Sequence, residues 1–231
     1  MRLRSWSSRR AGVAVLSVTL ALSPAGALAQ TTSPADDGEA RINFEDRPVG
    51  GPPSSFDTGL TGKGGPVRWV LLEDGSAPNG PAVLAETSGD RTSDRFPLAV
   101  LKDFEATNVE VKVRFKPISG KVDQAAGLMV RVRDEDNYYV ARANALEGNV
   151  RLYKVVDGRR RQFAGVDVEV PAGKWQELGL RAEGDRLTVS LDGRELFGAT
   201  DRTFARAGRV GLWTKADSLT HFDDLVARRL P

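Results

Sequence analysis

The chain has 231 residues, 33 Lys and Arg against 31 Asp and Glu, a formal charge of +2, a single histidine and no cysteine. Without cysteine there are no disulfides and no thiolate chemistry, and one histidine, His221, excludes a zinc site built from several. The fold must therefore be held by its core.

The basic residues are unevenly placed. Arg2, Arg4, Arg9 and Arg10 precede the apolar run Ala11–Leu22, and Ala27-Leu28-Ala29 supplies a small-x-small cleavage pattern. Residues 1–29 thus read as a signal peptide, with Gln30 as the new N-terminus. Ser17, Ser23 and Pro24 interrupt the apolar run, which is too short to span a bilayer. Ser8-Arg9-Arg10 is a partial twin-arginine signal that Ala11-Gly12-Val13 continues poorly, so both this route and the general secretory one stay open. The expected location is periplasmic or extracellular. Losing the four arginines turns the charge of +2 into about −2, and a near-neutral protein has no general affinity for phosphate backbones. Nucleic acid is excluded as a partner.

Residues 30–39 read as a disordered lead-in and 40–231 as one domain. The Gly- and Pro-rich "RPVGGPPSSFDTGLTGKGGPVRW" is expected to form a long excursion that leaves the first strand and returns at Val67–Val70. Its "GLTGKGG" is no phosphate loop, since Asp57 occupies the first glycine position and Gly64 follows the lysine where Ser or Thr is required.

Strand signals then dominate. In "NVEVKVRFK", Val109, Val111, Val113 and Phe115 alternate with Glu110, Lys112, Arg114 and Lys116, the period of a half-buried strand. "GLMVRVR" sets Leu128, Val130 and Val132 against Met129, Arg131 and Arg133. Asp157-Gly158 and Asp192-Gly193 mark two tight hairpins. Ala205–Ala207 has room for one helical turn at most, and "GRVGLWTK" and "LTHFDDLVARRL" supply the last strands. Turn residues every eight to twelve positions predict an all-β sandwich or barrel.

Glycoside hydrolysis needs two carboxyl groups flanking one bond. No predicted strand presents such a pair: Glu183 and Asp185 fall in a turn, and Asp134-Glu135-Asp136 precedes a strand entry. His221 with Asp223 or Asp224 would make part of a Ser-His-Asp triad, but no nucleophile elbow accompanies them. Glu45, Asp46, Asp223 and Asp224 offer hard oxygen ligands for a structural calcium ion; no other cofactor is expected.

The stretch "DEDNYYVARANALEGNVRLYK" carries aromatics, amides and bases on strands. Arg131, Arg142 and Arg151 fall in successive strands, Asn144 shares a face with Arg142, and Trp213 and Lys215 share a face opposite Val210 and Leu212. Aromatic faces, planar amides and guanidinium forks are what sugars are bound by. The expected ligand contacts are Arg131, Arg142, Asn144, Trp213 and Lys215, with Tyr139, Asp217 and His221 at the rim. A solvated face over a buried Trp213 is the bland alternative.

The phrases "FKPISGKVDQAAGLMVRVRDEDNYYVARANALEGNVRLYKVVDG", "LTVSLDGRELF" and "GRVGLWTKADSLTHFDDL" resemble the 3-keto-disaccharide hydrolase domain family, over about Ile42 to Val226. The resemblance implies a concanavalin A-like jelly-roll sandwich of two antiparallel sheets and a carbohydrate on the concave sheet. Many members are labelled family 16 glycoside hydrolases, yet the Glu-x-Asp-x-(x)-Glu motif of that family is absent here. The expected function is carbohydrate binding, with hydrolysis of glycosides or 3-keto-glycosides as its enzymatic form. The alternative is a non-catalytic structural or protein-interaction module of the cell envelope. The sequence sets no oligomeric state.

Overall fold

The computed structural model describes residues 38–46 and 48–231. The expected signal peptide and most of the expected lead-in lie outside the described residues. Among these residues there are fifteen strands and no helix, so none long and apolar enough to cross a membrane. The expected turn at Ala205–Ala207 is irregular backbone instead.

The strands form two antiparallel sheets, as expected. The first runs β13 (Arg194–Thr200), β12 (Arg186–Leu191), β11 (Gln176–Glu183), β6 (Val109–Ser119), β15 (Leu219–Arg229), β4 (Ala82–Glu86) and β3 (Trp69–Glu73), with β1 (Glu39–Ile42) also paired to β15. The second runs β10 (Arg159–Asp167), β9 (Asn149–Val156), β8 (Asn137–Asn144), β7 (Ala125–Asp134), β14 (Gly208–Trp213), β5 (Arg95–Ala106) and β2 (Phe56–Gly62). Period-two patterning explains the main core. Val109, Val111, Val113 and Phe115 of β6 are fully buried, and they meet Leu128, Val130, Tyr139, Ala141, Val210 and Leu212 from the second sheet. Both Asp-Gly pairs are two-residue hairpin turns in which each residue has positive φ (49° and 72°; 50° and 75°), the conformation that suits the strand twist.

Two features escape the sequence patterning for physical reasons. The Gly- and Pro-rich excursion contains β2, which pairs along β5 from Phe56↔Leu101 to Gly62↔Arg95. It is an edge strand that buries little beyond Phe56 and Thr61, so alternation is faint. In β7, Arg131 has φ 51°, and the pairing with β8 slips between Val130 and Asp134. This bulge turns the alternation over: Val130 packs between the sheets, while Val132 packs on the far face of its own sheet.

That far face is strongly concave. β2 and β8 are four places apart in the sheet, which would separate them by about 19 Å in a flat array. Yet Thr61 Oγ1 lies 2.8 Å from the Tyr138 hydroxyl. Arg160 of β10 likewise reaches Phe96 of β5, five places away, with its guanidinium carbon 4.7 Å from the ring centroid. The curl closes a second apolar cluster on this face: Phe96, Leu98, Met129, Tyr138, Val140, Tyr153 and Trp213.

Candidate functional site

In β8, alternation puts Tyr138, Val140, Arg142 and Asn144 on the concave face and Tyr139, Ala141 and Ala143 on the core face. The concave face has two chemically different ends.

At the closed end, Trp213 stacks on Phe96 (centroids 5.4 Å apart, 15° between planes) and donates its indole N–H to the Tyr138 hydroxyl, 3.2 Å away. Thr61 meets the same hydroxyl and donates to the Glu135 carbonyl. Burial pushes the Tyr138 hydroxyl up to about 12. Gly127 lies under the indole, and a Cβ there would come within 3.0 Å of Trp213 Cβ and Cε3.

At the polar end, Arg142 is buried and spans Glu147 with two nitrogens, Nη1 to Oε1 at 3.4 Å and Nη2 to Oε2 at 2.7 Å; Nη2 also donates to Asn149 Oδ1 at 2.6 Å. Asn144 donates to Asp123 Oδ1 (2.6 Å), and its own Oδ1 accepts the backbone N–H groups of Leu146 and Glu147. Lys215 donates to Asp123 Oδ2 at 2.6 Å. Asp217 does not face this network; its carboxylate accepts the N–H groups of Lys121, Val122 and Asp123 and thereby fixes the loop that carries Asp123. Gly120 permits that loop to close, since a Cβ there would strike the Asp123 carbonyl oxygen at 1.8 Å. The cluster opens to solvent at Glu147, whose side chain is 47% exposed.

The electrostatics favour an ionised Glu147. Burial alone would raise Glu147, but hydrogen bonds from Arg142 and Asn149 outweigh it and hold the group below its usual range. Glu147 is therefore an anion at neutral pH and no proton donor.

Of the eight expected contacts, the fold brings Arg142, Asn144 and Lys215 into one network, with Asp217 behind it. Trp213 belongs to the same face but is fully buried and enclosed between Phe96 and Gly127. Arg131 is elsewhere: the bulge aims it at the sandwich end, where it donates to the carbonyls of Thr107, Phe204 and Gly184. Tyr139 faces the core side, donating to Asp201 Oδ1 (2.6 Å) and accepting the N–H of Phe204. His221 lies in the other sheet. Its Nδ1 is 2.7 Å from Asp74 Oδ2, so its acidic partner is Asp74 rather than Asp223 or Asp224, and Lys116 pairs with the same oxygen.

Sequence reasoning missed Asp123, Glu147, Asn149 and Arg160. Three of these lie in or beside loops whose closure no pattern announces. Arg160 was within reach of a hairpin argument: the Asp157-Gly158 turn pairs it with Val155, two residues from Tyr153.

The calcium ligands expected at Glu45, Asp46, Asp223 and Asp224 are only partly gathered. Asp223 is fully buried, and its Oδ2 has no hydrogen-bond donor. Burial, with Asp224 and Glu45 adding negative potential, pushes it up to about 7. Asp224 Oδ1 accepts from the Asn79 amide, and Glu45 Oε1 from the Ala82 N–H. Asp46 lines a different small cleft with Phe44, Pro53 and Phe56. No group of three His, Cys, Asp or Glu suited to a metal ion exists among the described residues.

The outer face of the first sheet carries a wide cleft of about 680 Å³, lined by Arg41, Asn79, Glu110, Arg114, Glu177 and Asp224 among others. Its charges pair with each other, as in Arg228–Glu110 (2.6 Å) and Arg114–Glu177 (3.9 Å). Such half-exposed pairs are ordinary surface chemistry.

No family model and no curated protein matches the chain. Solved structures do. The carbohydrate binding module CBM66 from Bacillus subtilis aligns at TM-score 0.58 and 22% identity, over 74% of this chain and 94% of that one. A cellulose-induced protein, Cip1, aligns at TM-score 0.62 and 11% identity, over 83% and 98%. A protein of unknown function with a galectin-like fold from Bacillus subtilis aligns at TM-score 0.52 and 11% identity, over 74% and 89%. At these identities the likeness establishes the jelly-roll sandwich.

Proposed function

We propose that this is an exported carbohydrate-binding protein whose ligand docks at the polar end of the concave face, without hydrolysis. The observation that carries the reading is the Arg142–Glu147–Asn149 network joined to Asn144–Asp123–Lys215. Guanidinium and amide groups on strands, with ammonium and carboxylate groups on the adjoining loops, match the alternating donors and acceptors of vicinal hydroxyls. Two further supports are the fold shared with a carbohydrate binding module and the resemblance to the 3-keto-disaccharide hydrolase domain family. Hydrolysis would require one carboxyl group to hold a proton at working pH, and the hydrogen bonds around Glu147 oppose that.

The test is retention of the mature protein, beginning at Gln30, on a panel of immobilised neutral, acidic and 3-keto oligosaccharides, with product analysis of the bound sugars. The reading predicts retention without released monosaccharide, and at least tenfold weaker retention of Arg142→Ala. Released product would make the protein an enzyme. Retention of nothing would favour the alternative of a structural or protein-interaction module, which the pairing of Arg142 with Glu147 also suits.

A further inference from the structure

The concave face holds one cation more than its anions account for. Arg142, Arg160 and Lys215 gather there with Asp123 and Glu147 as the acidic counterparts; Arg151 beside them is already paired with Asp167 at 2.5 Å. Glu147 serves Arg142 and Asp123 serves Lys215. The Arg160 side chain has neither a salt bridge nor a hydrogen bond among the described residues, and its Nη1 is buried without an acceptor. Instead its guanidinium sits among three rings, with the carbon 4.5 Å from the Tyr153 centroid, 4.7 Å from Phe96 and 5.7 Å from Trp213.

Ring faces stabilise a cation but accept no hydrogen bonds along the plane of the fork. The edge of Arg160 is thus left asking for an acceptor. Arg142 stands on the same ring, 5.6 Å from the Tyr153 centroid, and its Nε is also buried without a partner. Two guanidinium groups flanking one tyrosine repel each other, and that arrangement is unfavourable unless negative charge comes between or beside them. Charge-assisted bonds to carboxylate or sulfate oxygens are the strong, directional contacts that arginine forks make.

We infer that the ligand of this face is an acidic saccharide, and that Arg160, caged by Tyr153, Phe96 and Trp213, together with the free Nε edge of Arg142, receives its anionic group. The inference rests on the carbohydrate-binding reading and adds the ligand class and the residue that selects it. Carboxylate and sulfate share the needed chemistry.

Titration calorimetry separates the cases, using a trigalacturonate, a sulfated galactotriose and the uncharged galactotriose, each at low and high salt. The expected result is at least tenfold tighter binding of one acidic probe over the neutral one, with a preference that shrinks in salt. The arm that binds more tightly identifies the source as uronate or sulfate. Arg160→Gln should erase the preference, and Arg160→Lys should restore part of it. Equal binding of all three probes would overturn the acidic class and leave carbohydrate binding standing. Binding of none, when the oligosaccharide panel retains the protein on neutral sugars, would also overturn it; binding of none together with an empty panel would take the carbohydrate reading down as well. If Arg160→Gln fails to fold, the salt dependence of the unaltered protein decides the matter.

Discussion

The two ends of the concave face are made of neighbouring positions on the same strands, yet they solve burial in opposite ways. At the closed end, Trp213, Phe96 and Tyr138 fill space and satisfy one another, with the indole N–H and two hydroxyls forming a sealed chain to a carbonyl. At the polar end, Arg142, Asn144 and Asp123 are buried just as deeply, but their network runs out to a half-exposed glutamate. The first end is stability; the second is a prearranged set of donors and acceptors with an open side. An aromatic residue on a binding face is therefore no evidence of a stacking platform, because what lies over and under the ring decides its role.

The comparison breaks most visibly at Trp213. Trp213→Ala removes a fully enclosed side chain and is expected to cost about 3–5 kcal/mol, read as a fall of roughly 10 °C in melting temperature. A small fall, with binding lost, would return Trp213 to the ligand. Gly127→Ala pushes a methyl group against Trp213 and Val140 and is expected to cost about 1–3 kcal/mol in denaturant unfolding, as overpacking does. Arg142→Ala should cost about 2 kcal/mol, since Glu147 is free to turn to solvent but buried Asn149 Oδ1 loses its donor, while its effect on binding is large.

Away from this face, Asp223 supplies a pH test. Its carboxyl, raised to about 7, keeps its proton in the folded protein over a range where the unfolded chain, near 3.8, has released it. The folded state binds the extra proton, so this group's contribution to stability is full below about pH 4, declines as pH rises and is lost above about pH 7. Melting temperatures across this range should fall for the natural protein and stay flatter for Asp223→Asn. The smallest effect is expected at Arg202→Ala, where the exposed pair with Asp185 (2.8 Å) is screened by solvent and the denaturant midpoint should not move measurably.

Much of the sandwich was legible because its strands obey simple rules. The run Val109 to Phe115 declares its buried face, and the Asp-Gly pairs declare their hairpins through the positive φ they adopt. β2 was hidden because a one-sided edge strand with Gly59 and Gly62 has little to alternate. Arg131 was misplaced because a single bulged residue inverts every position after it. Tyr139 was a different kind of miss: placing Arg142 outward already put Tyr138, and not Tyr139, on its face. The acidic half of the network, Asp123 and Glu147, depends on loop closure by Asp217 and Asn144, which leaves no periodic trace.

The contrast between the two buried arginines offers the most direct measurement. Arg131 spends its nitrogens on three carbonyls, whereas Arg142 presents an unpartnered Nε on the proposed ligand face. The arginine side-chain Nε–H resonances of the protein should be followed during titration with the best-retained oligosaccharide. The account predicts that the Arg142 and Arg160 resonances shift in saturable fashion and that of Arg131 stays in place. A saturable titration that leaves Arg142 and Arg160 unmoved, with shifts confined to arginines of the outer cleft such as Arg41 or Arg114, would contradict it.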